Sequence, residues 1–208
     1  MLEKIIEEYI NEGSEAMIKA IMNVNGGYIT SKQVSDLGIH RMYLNILVDK
    51  NEIVRVDKGV YITKDSVDDV YYTFQLRYPK TVFALFTALY FHGLTEVFPY
   101  SFDIITDRDY HVNEISLKHN VFRVKKDIYE LGIIDYKTSM GHYIRIYDKE
   151  KCICDLIKYK NKLDLEQVKK SIRAYVNSNN ANILKLTEYA TLMGIKEDVL
   201  QFVGMYYE

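Results

Sequence analysis

A glycine-isoleucine pair, Gly38-Ile39, separates two short amphipathic stretches, and a hairpin signal follows soon after. Few folds accommodate that order. Tyr28-Ile29 reads as a short extended piece, and Thr30-Ser31-Lys32-Gln33 offers a capping box, with a hydroxyl at the start and an amide three residues later. The helix it opens turns Val34 and Leu37 inward and stops at Gly38, since glycine takes the tight-turn backbone at least cost. Ile39 plugs the turn. A further helix runs from about His40 to Lys50, with Leu44, Leu47 and Val48 on one face. Ile53–Val56 and Val60–Thr63 then read as two strands joined at Asp57-Lys58-Gly59. Helix, strand, helix, glycine turn, helix and hairpin form the grammar of a winged helix-turn-helix.

That grammar predicts where duplex DNA would be met. A helix fits the major groove, and this motif presents one with the side chains of its first turn facing the base edges. If Leu44, Leu47 and Val48 face the core, His40, Tyr43, Asn45 and Lys50 lie off that stripe, and Arg41 reaches out from its edge. His40, Arg41 and Tyr43 then fall in the first turn. Ser31 and Lys32, at the start of the preceding helix, suit a phosphate, and so do that helix's first backbone N–H groups. Arg55, Lys58 and Lys64 suit the hairpin's contact with the backbone.

The rest of the chain is read more coarsely. Leu2, Ile5, Ile6, Tyr9 and Ile10 form an amphipathic stripe ending near Gly13. Ser14 is placed to cap a second helix, which buries Met17, Ala20, Ile21 and Val24. Ser66 is placed to cap another, closing before Pro79. A boundary there divides the chain into residues 1–78 and 79–208. The second part opens with a buried helix over Thr81–His92, stopped by Gly93. Strands follow at Phe102–Thr106, Asn120–Lys125, Ile133–Thr138 and Tyr143–Tyr147. Four helices end the chain, near Lys149–Lys160, Leu165–Asn177, Ile183–Met193 and Glu197–Tyr206. The fold class is therefore α+β, a winged helix-turn-helix followed by a mixed α/β domain that ends in several helices.

Charge narrows the partners only locally. The net charge of the 208 residues is -2, so no polyanion partner is advertised by the total. A second basic run, Lys158, Lys160, Lys162, Lys169, Lys170 and Arg173, spans two of the final helices; it reads equally as a solvated face and as a phosphate-contacting or docking patch. The most apolar run, Val82–Phe91, is far short of a membrane span, which takes about 20 residues, and MLEKIIEEYI is acidic where a signal peptide is basic. A cytoplasmic protein is expected.

Chemistry-bearing residues are sparse. Cys152 and Cys154 point to different faces of a helix and lack a second ligand pair, so buried thiols rather than a metal site are expected. His92 sits at a helix C-terminus, where the dipole favours a cation. Asp103, Asp107 and Asp109 resemble a carboxylate cluster after a strand, but Arg108 among them marks a solvated turn. The 19 tyrosines, with no tryptophan, fall mostly at core spacing. No phosphate-cradling glycine loop or serine elbow is present.

GGYITSKQVSDLGIHRMYLNILVDKNEIVRVDKGVYI, with Gly38-Ile39, the Leu44–Val48 helix and Gly59-Val60-Tyr61, resembles the N-terminal domain of AbiE-family antitoxins of type IV toxin–antitoxin, or abortive-infection, systems. Thr87-Ala88-Leu89 through His92-Gly93-Leu94, and Ile146 to Leu156, add to the likeness. The last segment resembles a family stretch in which a strand leads into a helix of the form E-R-T-L-x-D-L. Glu150, Asp155 and Leu156 match it; Lys151 and Cys152 stand where Arg and Thr are usual. The resemblance implies a repressor that binds inverted repeats upstream of its own operon. It also implies that the second domain counters a nucleotidyltransferase-like toxin without forming a stable complex. No enzyme activity and no cofactor are expected. The alternatives are an enzyme that modifies a toxin or nucleotide through the second domain, and a winged helix that binds protein only.

Overall fold

The computed structural model describes residues 13–111 and 114–206. The amphipathic helix expected over residues 2–10 lies outside the described residues. The protein is mixed α/β with two sheets. It divides into two compact units, Met1–Pro79 with Lys137–Ile144, and Lys80–Tyr136 with Arg145–Glu208.

In the first unit, helix α1 (Ser14–Val24) follows Gly13, which occupies the N-cap position without a side-chain cap bond. Ser14 is therefore the first helical residue and not the expected cap. Strand β1 (Tyr28–Thr30), helix α2 (Ser31–Asp36), helix α3 (Met42–Asp49), strands β2 (Ile53–Asp57) and β3 (Val60–Thr63) and helix α4 (Val70–Arg77) follow. The strands form an antiparallel sheet in the order β1-β3-β2. Because neighbouring residues on a strand face opposite ways, both faces of this small sheet can be covered. Ile29, Ile53 and Tyr61 join Ile18, Ile21, Met22, Val34, Leu44 and Leu47 in the main core. Tyr28, Val60 and Ile62 form a second cluster with Tyr72 and Leu76 of α4. Fully burying each such apolar side chain stabilises the fold by roughly 1.5–3 kcal/mol.

The start of α4 differs from expectation. Ser66 bonds the Thr63 hydroxyl instead of a helix end, and Asp69 is the cap, accepting from the Tyr72 amide at 3.3 Å. The other Asp69 oxygen accepts from the Thr138 hydroxyl at 2.6 Å and lies 3.1 Å from His142 Nδ1. A carboxylate at a helix N-terminus gains from the dipole as well as from the amide bond.

The second unit does not open with one long helix. Residues Thr81–Phe83 form strand β4, and helix α5 spans Leu85–Phe91. The joint is Leu85, which has a φ of 42°. A wholly apolar run satisfies strand and helix periods alike, so its pattern could not separate them. Strands β5 (Asp103–Asp107), β6 (Asn120–Val124), β7 (Ile133–Lys137) and β8 (Tyr143–Tyr147) complete a sheet ordered β6-β5-β4-β8-β7. β4 is antiparallel to β5 and parallel to β8. A short helix, α6 (Lys126–Tyr129), links β6 and β7. Helices α7 (Lys149–Tyr159), α8 (Leu165–Val176), α9 (Ile183–Leu192) and α10 (Lys196–Gly204) end the described chain.

Helix α7 packs against α5, α8, α9 and α10, and every residue from Glu150 to Ile157 is buried. A helix enclosed on all sides must satisfy its charges within the protein. Asp148 caps it through the Lys151 amide, and Tyr189 Oη and Lys185 Nζ donate to the same carboxylate at 3.0 and 2.8 Å. Glu150 accepts from Tyr175 Oη at 3.0 Å. The Lys151 ammonium reaches Asp155 and sits 4.4 Å from the centre of the Tyr147 ring.

Candidate nucleic-acid interface

The capping box at the start of α2 is present. Thr30 Oγ1 accepts from the Gln33 amide at 3.1 Å, and Gln33 Oε1 accepts from the Thr30 amide at 2.8 Å. The amide of Ser31 donates to the Gly59 carbonyl at 2.8 Å. Two of the first N–H groups of α2, those of Ser31 and Gln33, are thus committed inside the protein. Gly59 has φ +75°, and a Cβ there would lie 3.4 Å from Ser31 Oγ. Glycine therefore lets the hairpin turn rest closely on the start of α2.

The turn between α2 and α3 is closed by Gly38 at φ +73° and by the Ile39 amide, which donates to Val34 at 3.0 Å. His40 and Arg41 precede α3 and do not form its first turn. Both are exposed. His40 Nδ1 accepts from the Met42 amide at 3.2 Å, taking up an amide that α3 leaves open. Arg41 donates through Nε to Ser35 Oγ at 2.7 Å, and Ser35 Oγ donates to the Ser31 carbonyl at 3.0 Å. These two bonds tie the Arg41 guanidinium to the outer side of α2.

The other expected residues fall out unevenly. Asn45 is exposed on α3. Tyr43 is half-buried and packs on the main core with Leu37, Ile39 and Val48, so it does not stand clear of the apolar stripe as the spacing suggested. Lys50 is exposed but paired with Glu15 at 2.6 Å, and that carboxylate raises its pKa. Lys32, Arg55, Lys58 and Lys64 are exposed, and Ser31 is half-buried. Arg55 Nε donates to the Asp57 carbonyl at 3.3 Å.

Four basic residues line one crevice of about 530 Å³, Lys32, Arg41, Lys58 and Arg77, together with Ser31 and Gly59. Three of the four are sequence-predicted. Arg77, the last residue of α4, was missed: it lies well beyond the hairpin, and only the packing of α4 on the sheet brings it here. Its guanidinium is ion-paired with Asp57 and lies 4.8 Å from the Tyr78 ring centre.

The basic run of the second unit is partly paired with carboxylates. Lys160 pairs with Asp198 at 3.1 Å and Lys169 with Glu166 at 3.0 Å. Lys158, Lys162, Lys170 and Arg173 are exposed, but Lys162 and Lys170 line separate depressions. The Asp103–Asp109 group also disperses. Asp103 and Asp107 are the first and last residues of β5, a separation of roughly 13 Å at the strand rise. Asp103 accepts from Asn120 Nδ2 at 2.8 Å and the Phe86 amide at 3.2 Å, and burial raises its pKa. Asp107 accepts from the Asp109 amide at 2.9 Å in a local turn. Among the described residues no three His, Cys, Asp or Glu side chains gather as metal ligands.

Cys152 and Cys154 are buried, with their thiols directed to the Tyr147 and Leu186 carbonyls. Burial raises both pKa values, that of Cys154 to about 12. His92 also departs from expectation. Burial lowers its pKa despite its place at a helix end, and Nε2 lies 2.8 Å from the Tyr147 carbonyl. Desolvation is the largest influence on it. No helix among the described residues is long and apolar enough to cross a membrane.

Residues 24–63, which span β1, α2, the turn at Gly38, α3 and the β2–β3 hairpin, match the model of a family described as transcriptional regulator, AbiEi antitoxin. In that segment the chain is AbiEi-like. No curated protein shows significant sequence similarity to the chain. Among solved structures, the crystal structure of the RV2827C protein from Mycobacterium tuberculosis is similar at 9% identity. It covers 88% of this chain and 77% of its own, with a TM-score of 0.45.

Proposed function

We propose, from an AbiEi-like N-terminal segment, that the protein is the antitoxin of a type IV toxin–antitoxin system and represses its own operon. The first unit is a winged helix-turn-helix that docks on inverted repeats in duplex DNA. Helix α3 enters the major groove. Arg41 and Asn45 meet base edges, His40 fixes the entry to α3, and the β2–β3 hairpin with Lys58 rests on the phosphate backbone. Tyr43 supports α3 from beneath. The second unit counters a nucleotidyltransferase-like toxin, without a stable complex. The protein is cytoplasmic and acts as a regulator rather than an enzyme.

One observation carries this reading. The exposed, tethered Arg41 stands at the head of α3, and the crevice beside it gathers Lys32 and Lys58 from separate elements. Arginine offers two parallel hydrogen bonds to guanine, contributing about 1–3 kcal/mol of base discrimination. A reporter fused to the protein's own upstream region tests the function. Expression of the wild type silences the reporter, and Arg41→Ala restores it. A reporter indifferent to the wild-type protein would remove the repressor claim. For the second unit, the wild type rescues cells that express the neighbouring toxin, and so does Arg41→Ala, because that residue serves the DNA alone.

A further inference from the structure

We propose that Arg77 completes a phosphate-binding crevice on the first unit and that Asp57 is the resident counter-anion which a DNA phosphate displaces. The inference rests on the DNA-binding reading and adds to it a residue outside the helix-turn-helix and hairpin, together with a built-in brake.

The crevice is built from four elements. Lys32 comes from α2, Arg41 from the turn before α3, Lys58 from the hairpin turn and Arg77 from the end of α4. Like charges brought together repel unless an anion is shared among them. Asp57, the last residue of β2, is the anion that holds Arg77. Its position is set three ways. The Lys58 amide donates to Asp57 Oδ1 at 2.7 Å, Arg55 Nε donates to its carbonyl at 3.3 Å, and the β2–β3 register shifts between Arg55 and Asp57. Arg77 and Asp57 side chains are 22% and 29% exposed, so the pair is reachable from solvent, and the Arg77 guanidinium lies over the Tyr78 ring. A guanidinium held in that way is prepared for bidentate contact with a backbone phosphate, which offers two oxygens as a carboxylate does and the same single negative charge. An incoming phosphate replaces the carboxylate at Arg77 and is shared with Lys32 and Lys58, while Arg41 at the edge of the crevice is left to reach the bases. No sequence information is read in this crevice, because phosphates carry none.

The test is a salt series of DNA-binding titrations on the full-length protein with a duplex from its own upstream region. Arg77→Ala is expected to lower affinity about tenfold at moderate salt and to reduce the slope of log affinity against log salt by about one, with unchanged preference for that duplex over a scrambled one. Arg77→Lys restores the slope but only part of the affinity, since a point charge cannot replace the fork. Asp57→Asn tightens binding by about fivefold, the strength of an ordinary solvent-accessible ion pair. Melting temperature and circular dichroism identify any variant that loses its fold, and Arg77→Gln replaces Arg77→Ala in that case. Unchanged affinity in both Arg77→Ala and Arg77→Gln, while Arg41→Ala and Lys58→Ala weaken binding, would overturn the inference and leave the DNA reading intact. Weaker binding by folded Asp57→Asn would overturn the counter-anion role. Failure of the wild type to bind DNA would remove the reading beneath it.

Discussion

Lys151 and Asp155 face each other one turn apart on α7, neither side chain exposed, with the ammonium donating to the two carboxylate oxygens at 2.9 and 2.7 Å. The pair stands in the segment that resembles the E-R-T-L-x-D-L helix, with lysine in the arginine position. Two charges taken from water cost several kcal/mol each, and only close geometry offsets that. Removing one partner leaves the other buried and unpaired. Lys151→Ala and Asp155→Ala are each expected to cost about 3–5 kcal/mol, measured by urea denaturation, whereas Lys151→Met with Asp155→Leu in one chain costs much less. A double variant as unstable as either single one would mean that the pair itself stabilises the fold.

The two thiols beside that pair provide a second prediction. Burial raises the pKa of both, that of Cys154 to about 12, and the thiolate is the reactive species. A disulfide reagent at pH 8 should label neither cysteine in the folded protein, and labelling should follow the unfolding rate as urea is added. Rapid labelling in native buffer would place a thiol at the surface.

A pH dependence follows from two histidines of the second unit. Burial lowers the pKa of His92 and His119 from the usual 6.5. The unfolded chain then binds protons more readily than the folded one, so stability present at neutral pH is lost as pH falls below about 6.5. At His119 the reason is geometric as well, since Nδ1 accepts from the Phe102 amide at 3.1 Å and protonation removes that acceptor. His119→Asn keeps an acceptor in place, and His92→Gln keeps a donor to the Tyr147 carbonyl. Together they should flatten the fall in melting temperature between pH 8 and 5.5. An undiminished fall would assign it to other groups.

The Thr30 cap offers a smaller test. Thr30→Ala removes the acceptor for the Gln33 amide and should cost about 1 kcal/mol in urea denaturation. A neutral effect would mean that water replaces the hydroxyl.

Local rules made much of the first unit legible. The Thr30–Gln33 box, the turn at Gly38 and the hairpin around Gly59 each depend on residues adjacent in sequence, and they occur where the pattern puts them. Competing local signals were not separable. Ser66 and Asp69 can each cap a helix, and Asp69 prevails with Thr138 and His142 also bonded to its carboxylate. The run from Thr81 to His92 carries no period that distinguishes a strand from a helix, and one leucine at positive φ divides it. The site was legible at Lys32, Arg41 and Lys58 for the same local reasons. Arg77 was not, since its place beside Lys58 depends on α4 covering the second face of the small sheet. Asp103 and Asp107 looked like a cluster because sequence distance hides the length of a strand.

The most direct measurement compares the affinity of the full-length protein for a duplex of its own upstream region with that for a scrambled duplex, alongside Arg41→Ala and Lys58→Ala. The wild type should prefer its own region by about a thousandfold or more. Arg41→Ala should reduce that preference, while Lys58→Ala weakens both duplexes equally. Equal affinity of the wild-type protein for the two duplexes would contradict sequence-specific binding through the segment that begins at His40.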